Sequence, residues 1–191
     1  MADTTTNNTA NVSSAKGVKG GYLYVALAGT PLPTGIKTKL DASFKVLGFL
    51  NEDGYVETIE TDSEDMVDMN GELIDTETTS RVESATFTLA EIKVGTLKFM
   101  YGSDNATDEN GLITVKHNGN SSDEWAVVLE LVLKNNRRWR KCVPLARIDE
   151  LGDLTLAVAE LASREITVKY LADEDGNTCY DYIESTETQG A

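Results

Sequence analysis

The chain has 191 residues, 17 Lys and Arg against 32 Asp and Glu, and a formal net charge of −15. One medium domain fits that length, and 40% hydrophobic residues supply material for a core. No apolar run nears the ~20 residues a bilayer needs, Met1–Lys19 lacks a secretory-signal pattern, and two cysteines with one histidine complete no four-ligand zinc site.

Residues 1–17 are small and polar, which predicts a disordered arm ahead of a single β domain over 18–184 and a flexible tail at 185–191. Tyr22–Leu27 has the composition of a buried strand, and Pro31, Pro33 and Gly35 then force a loop. Asn51-Glu52-Asp53-Gly54 predicts a turn between Phe44–Leu50 and Tyr55–Thr61. Met66–Ile74 reads as a strand, with Val67, Met69 and Leu73 on one face and Asp68, Asn70 and Glu72 on the other. In Ser80–Leu89, Ala85, Phe87 and Leu89 point inward while Ser84, Thr86 and Thr88 point out. A helix follows: Leu89, Ile92, Lys93, Leu97 and Met100 share a helical face, Thr88-x-x-Glu91 fits a capping box, and Tyr101-Gly102 supplies a stop.

The second half returns to strands. Leu112–Lys116 is one, with His117 in the loop Asn118-Gly119-Asn120 beyond it. In Glu124–Lys134 every odd position from Trp125 to Leu133 is apolar, the clearest core face in the chain. Asn135-Asn136 turns into Arg137–Arg147, with Trp139, Val143 and Leu145 on one side. Leu154, Leu156 and Val158 read as a further inward face, followed by Ile166, Val168 and Tyr170. Asp175-Gly176 is a hairpin-type turn into Cys179–Ile183. Eight to ten short strands and one helix predict a mainly β fold, a β-sandwich or partial barrel carrying a flanking helix.

Charge is unevenly placed. Residues 1–50 carry +3, 51–80 carry −11 with no basic residue, 81–150 balance, and 151–191 carry −7. The acidic stretch also holds Tyr55, Val56, Ile59, Met66, Val67, Met69, Leu73 and Ile74, so it is not a plain solvating tail. It reads either as a solvated strand pair or as a surface facing a basic partner or a polyanion that it must not hold. Direct nucleic-acid binding by this face is excluded by sign, because phosphate contacts need Lys and Arg. Arg137-Arg138-Trp139-Arg140-Lys141 has a composition seen in single-strand binders. A strand splits it, however, and its cations are expected to meet carboxylates across a subunit interface. Asp173–Asn177 lacks the spacing of a calcium loop and reads as a turn. Cys142 and Cys179 are expected to be free thiols. No catalytic constellation, cofactor motif or metal set is legible, so an enzyme is not expected.

The order of these features is informative. Gly21-Tyr22-Leu23-Tyr24-Val25-Ala26 precedes the loop Gly29–Thr34, and Leu47-Gly48-Phe49-Leu50 leads into Glu52-Asp53-Gly54. An acidic stretch ends near Asn70-Gly71-Glu72-Leu73, Glu83–Leu89 enters a short helix closing on Tyr101-Gly102, and Arg137-Arg138-Trp139 follows. Over roughly residues 20–175 this resembles the major tail (tail tube) protein of long-tailed, non-contractile bacteriophages. The resemblance implies hexameric rings stacked into a tube through which genomic DNA leaves the virion without specific binding. It implies a barrel shared by subunits around the lumen and a long acidic loop, near 61–80, reaching the adjacent ring. It further implies tape-measure and tail-end proteins as partners, no membrane partner, and assembly in the host cytoplasm. On that footing the candidates for the lumen wall or inter-ring loop are Glu57, Glu60, Asp62, Glu64, Asp65, Asp68 and Glu72, with Asp62, Glu64 and Asp65 expected in the loop. The basic interface candidates are Arg137, Arg138, Arg140 and Lys141. The competing reading is an immunoglobulin-like decoration or adhesion domain on a virion or cell surface.

Overall fold

The computed structural model describes residues 7–119 and 123–186. Residues 1–6 of the expected arm, Asn120, and 187–191 of the expected tail lie outside the described residues. Eleven strands and one α-helix follow in chain order: β1 Lys16–Gly17, β2 Leu23–Leu27, β3 Lys45–Val46, β4 Leu50–Val67, β5 Leu73–Leu89, α1 Val94–Tyr101, β6 Ala106–Glu109, β7 Leu112–Val115, β8 Trp125–Val132, β9 Arg138–Leu154, β10 Arg164–Leu171 and β11 Tyr180–Ile183. Nine of the strands make one antiparallel sheet in the order β3-β2-β8-β9-β10-β5-β4, with β1 beside β8 and β11 beside β9. Strands β6 and β7 form a separate hairpin.

The sheet curls around its main core without closing. Leu23, Val25, Val127, Leu129, Val143, Ile166, Val168, Ala85, Phe87 and Leu89 line the concave side, and α1 adds Phe99 and Met100. Aromatic rings bridge the hollow in series: Tyr55 stacks on Phe87 at 5.3 Å, Phe87 meets Phe99 at 6.3 Å, and Phe99 meets Trp125 at 5.3 Å. The Tyr55 and Tyr170 hydroxyls share a 2.6 Å hydrogen bond inside this wall, and burial raises both phenols well above their ordinary range. A second core lies on the opposite face, where Phe44 and Leu32 of the β2–β3 loop cover Ala26, Ala126, Val128 and Cys142. Central strand β8 is therefore apolar on both faces, and six of its eight residues are buried.

Several sequence expectations need correction. Met66–Ile74 is not a strand but the reversal between β4 and β5, closed at Asp68–Glu72 with Gly71 at φ +81°. The turn expected at 51–54 is an irregularity inside β4, where the ladder jumps from Leu50 to Tyr55 and Gly54 adopts φ +76°. Residues 61–80, expected as a loop, are a two-stranded ladder with a five-residue tip. The helix starts at Val94, so Leu89 belongs to β5, and its cap is a hydrogen bond from Lys93 N to Thr96 Oγ1 (3.0 Å) in place of the Thr88/Glu91 box. A register shift between Trp125 and Val127 turns Ala146, not Leu145, to the core. Leu154, Leu156 and Val158 are exposed, Val158 almost fully, because the chain leaves the sheet at Leu154. Strands β10 and β11 do not pair as a hairpin: both run antiparallel to β9, end to end along one edge of it, with Asp173–Asn177 as the excursion between them. Of the expected N-terminal arm, Lys16–Gly17 pairs with Leu131–Val132.

Candidate functional site

The β4–β5 hairpin is rooted in the sheet through Leu50–Ile59 and projects beyond it. Ladder pairs place its side chains on two faces. One face carries Glu60, Asp62 and Glu64 of β4, with Glu77 directly opposite Glu64 and Asp75 opposite Met66. Two local hydrogen bonds reach its carboxylates, from Ser80 Oγ to Asp62 (2.9 Å) and from Thr76 N to Asp75 (2.8 Å). Arg81, the one cation in the hairpin, stands opposite Thr61 and therefore on the other face. Five carboxylates thus share a bare strand face without a cation among them. Glu64 across from Glu77 is a like-charge pair, which weakens an isolated hairpin.

The other face is neutralised at its root. Lys141 of β9 is buried and reaches both Glu57 of β4 (2.9 Å) and Asp181 of β11 (3.0 Å). Burial works against its charge, yet its hydrogen bonds to the Glu57 and Asp181 carboxylates prevail and raise the ammonium above the usual lysine range. Arg81 pairs with Glu83, and Thr178 donates to the same carboxylate. Trp139 Nε1 donates to Asp181 at 2.5 Å. Glu57, Arg81, Glu83, Lys141, Thr178 and Asp181 line a cleft of about 290 Å³ at the root of the arm. Farther out, Asp65 accepts a hydrogen bond from Thr76 Oγ1 at 2.8 Å.

The tip is self-capped. Asp68 Oδ1 accepts the backbone N–H groups of Asn70 (2.7 Å) and Glu72 (2.8 Å), and the Glu72 contact is the larger cause of a lowered Asp68 carboxyl. Around it Met66, Val67, Met69, Leu73 and Ile74 stand in solvent, Met69 completely. The sequence candidates therefore separate. Glu60, Asp62 and Glu64 come together, Glu57 turns inward to Lys141, Asp65 takes the opposite face, and Asp68 and Glu72 build the tip. Asp75 and Glu77 complete the acidic face. Their membership follows from register alone, which the Asn70-Gly71 turn signal sets.

Three of the four basic candidates find carboxylates on their own chain, and Arg137 finds a backbone carbonyl. Arg140 is buried against Glu130 (2.6 Å), and its other nitrogen reaches the Gly35 and Thr38 carbonyls. Lys141 is the arm's anchor. Arg137 donates to the Glu184 carbonyl at 2.8 Å, and Arg138 lies 3.4 Å from Glu130, both half-exposed. Lys141 and Trp139 share the main-core side, while Arg138 and Arg140 take the other, so the strand splits the basic run as its period predicts. Cys142 and Cys179 are free, and burial pushes their thiols up to about 12 and about 11. Asp173 has its carboxylate occupied by the Asp175 and Asn177 N–H groups and by Tyr180 Oη. That is the turn the sequence suggested.

A family model described as phage tail tube protein matches residues 5–191. No curated protein sequence matches the chain. Among solved structures, the chain is similar to one in the PVC sheath-tube complex of an extracellular contractile injection system in its extended state. That match has 14% identity, covers 87% of this chain and 92% of that one, and has a TM-score of 0.41. A chain of the anti-feeding prophage baseplate is 12% identical, with 88% of this chain and 96% of that one covered at a TM-score of 0.44.

Proposed function

The chain belongs to the phage tail tube protein family, and from that premise we propose that it closes into six-membered rings that stack into the conduit of a long, non-contractile tail. A structural role in the virion tail follows from the family itself. The observation that carries the finer reading is the segregation of charge on the arm, with Glu60, Asp62, Glu64, Asp75 and Glu77 on one bare face. A bore for DNA works best when it repels phosphate, since basic walls would hold the duplex through counterion release and stall it. The acidic face is assigned to that bore, and the apolar tip around Met69 to the adjacent ring, where burial would remove its exposed surface from water. Tape-measure and tail-end proteins are the proposed further partners, with assembly in the host cytoplasm. Arg137 and Arg138 remain as candidate cations for a neighbouring subunit, whereas Arg140 and Lys141 spend their charge within the chain.

Negative-stain imaging of the purified full chain tests the assembly: hollow cylinders of uniform width are expected, and a monodisperse monomer at high concentration overturns it. Glu60→Lys/Asp62→Lys/Glu64→Lys, assembled into virions, tests the bore. Slowed or arrested DNA ejection is expected, and ejection at the normal rate removes these residues from the lumen wall.

A further inference from the structure

An open sheet has two free rims, and here they differ in sign. At one end stands β4, an 18-residue edge strand with seven carboxylates and no basic residue, whose one ladder partner among the described residues is β5. The opposite rim is formed by β3, paired only to β2, and by β1, paired only to β8. It carries Lys16 on β1, Lys45 on β3 and Lys19 in the turn between β1 and β2, all exposed. Among the described residues none of the three lysines forms an ion pair, although Lys45 Nζ donates to the Ala42 carbonyl at 2.7 Å. Asp41 is the one acidic residue between Lys16 and Leu50. Lys37 and Lys39, exposed in the β2–β3 loop, add to the same sign.

The chain does not pair its own rims. Tyr22 Oη accepts from Leu50 N at 2.6 Å, a single tie, and a cleft of about 1060 Å³ otherwise separates Gly17–Tyr22 from Gly48–Tyr55. Unpaired N–H and C=O groups on both rims invite another chain.

We infer that the two rims form an electrostatic code for a second copy of this chain: the acidic β4 rim accepts the lysine-bearing β1/β3 rim of its neighbour and rejects another β4 rim. This rests on the tube reading above and adds what selects the ring. Pairing β4 with β4 would set six carboxylates against six, Glu57 being held by Lys141, and pairing β1/β3 with itself would set lysine against lysine. Both two-fold dimers are disfavoured, and the head-to-tail contact alone brings unlike charges together. Head-to-tail contacts close into rings when the rotation from copy to copy closes, whereas two-fold contacts stop at dimers. The code is exposed to solvent, so salt screens it over about 8–10 Å.

Two charge-reversed full-length variants test it. One is Lys16→Glu/Lys19→Glu/Lys45→Glu, acidic on both rims; the other is Glu52→Lys/Asp53→Lys/Glu60→Lys, basic at the root of β4 as well as on β1/β3. Each is checked for an unchanged circular dichroism spectrum, then sized by light scattering and negative stain. Each alone is expected to lose ring yield at least tenfold at 0.15 M salt, by like-rim repulsion, and an equimolar mixture to recover it, because the two alternate around the ring. Rings from wild type together with unaffected single variants, or a mixture that stays monomeric, overturn the code and leave the tube reading standing. Wild type that forms no rings overturns both. Raising salt offers a second readout on wild type alone: ring formation should slow as salt rises from 0.05 to 0.5 M, and a flat response counts against the code.

Discussion

Strands β8 and β4 belong to the same sheet and have opposite surroundings. Six of the eight residues of β8 are buried, with an apolar core on each face, while none of the 18 residues of β4 is fully buried and only Leu50 and Tyr55 pack against the core. The difference teaches how a small acidic protein divides its labour. Folding free energy is concentrated around β8, where the aromatic series and the β2–β3 loop converge. Beyond its first residues, β4 gains little from its own chain, and its like-charge pairs cost stability. A strand that long and that exposed presents an open edge to any chain outside the monomer.

Breaking the buried side should give the largest effect. Phe99 is almost fully buried and joins the Phe87 and Trp125 rings, so Phe99→Ala should lower stability by about 3–5 kcal/mol in denaturant melts of the monomer. Val56→Ala, on the exposed side of β4, should stay within about 0.5 kcal/mol. Equal losses would mean that the arm's root is as well packed as the core, and the contrast would be wrong.

Next in size is the buried ion pair behind β9. Arg140→Met leaves Glu130 buried with only the longer, 3.4 Å contact to half-exposed Arg138, a poorly compensated charge that should cost about 3 kcal/mol. Adding Glu130→Leu should return most of that loss, because two buried charges disappear together. A double variant no more stable than the single one would show that the carbonyl contacts of Arg140 to Gly35 and Thr38 are what matters, the pair being secondary.

The sequence made the two regions legible to different degrees. The odd positions of β8 were plain, since every one from Trp125 to Leu131 is apolar. That Ala126, Val128 and Glu130 are buried too depends on a loop folding back from residues 28–44, a non-local event that periodicity does not record. Leu154, Leu156 and Val158 show the converse: alternation marks one apolar face, but not whether anything covers it. In the hairpin, two Gly-containing turn signals competed. Asn70-Gly71 took the reversal, and Asp53-Gly54 was absorbed into β4 as an irregularity. The acidity of 51–77 could be read directly, yet its division into faces needed the register, and the Lys141 anchor needed β9 and β11 brought beside β4.

A smaller effect should sharpen the contrast within the arm itself. Gly71 holds φ +81° at the tip, a conformation that a β-branched side chain resists, so Gly71→Val should cost about 1–2 kcal/mol locally. Hydrogen exchange should quicken at the amides of 66–75 and stay unchanged in β8, because the tip shares no core with it. Protection lost in both places would make the arm and body one cooperative unit.

The smallest expected effect comes from acid. Asp68 and Asp173 both have carboxyls held below the ordinary 3.8, the first chiefly by the Glu72 N–H and the second chiefly by the Tyr180 hydroxyl. A carboxyl depressed by folding stabilises the fold above its unfolded value and loses that contribution as pH falls through its folded one. The two turns should therefore be intact at neutral pH and begin to loosen only below about pH 4, where ordinary Asp carboxyls protonate. Amides of Asn70, Glu72 and Asn177, which donate to these carboxylates, should lose protection first. Asp68→Asn should abolish the acid step at the tip while leaving the one at 173–177. In an assembled tube, burial of the tip against another ring would shift the tip's step alone. Comparing monomer with polymer thus measures which of the two turns has found a partner.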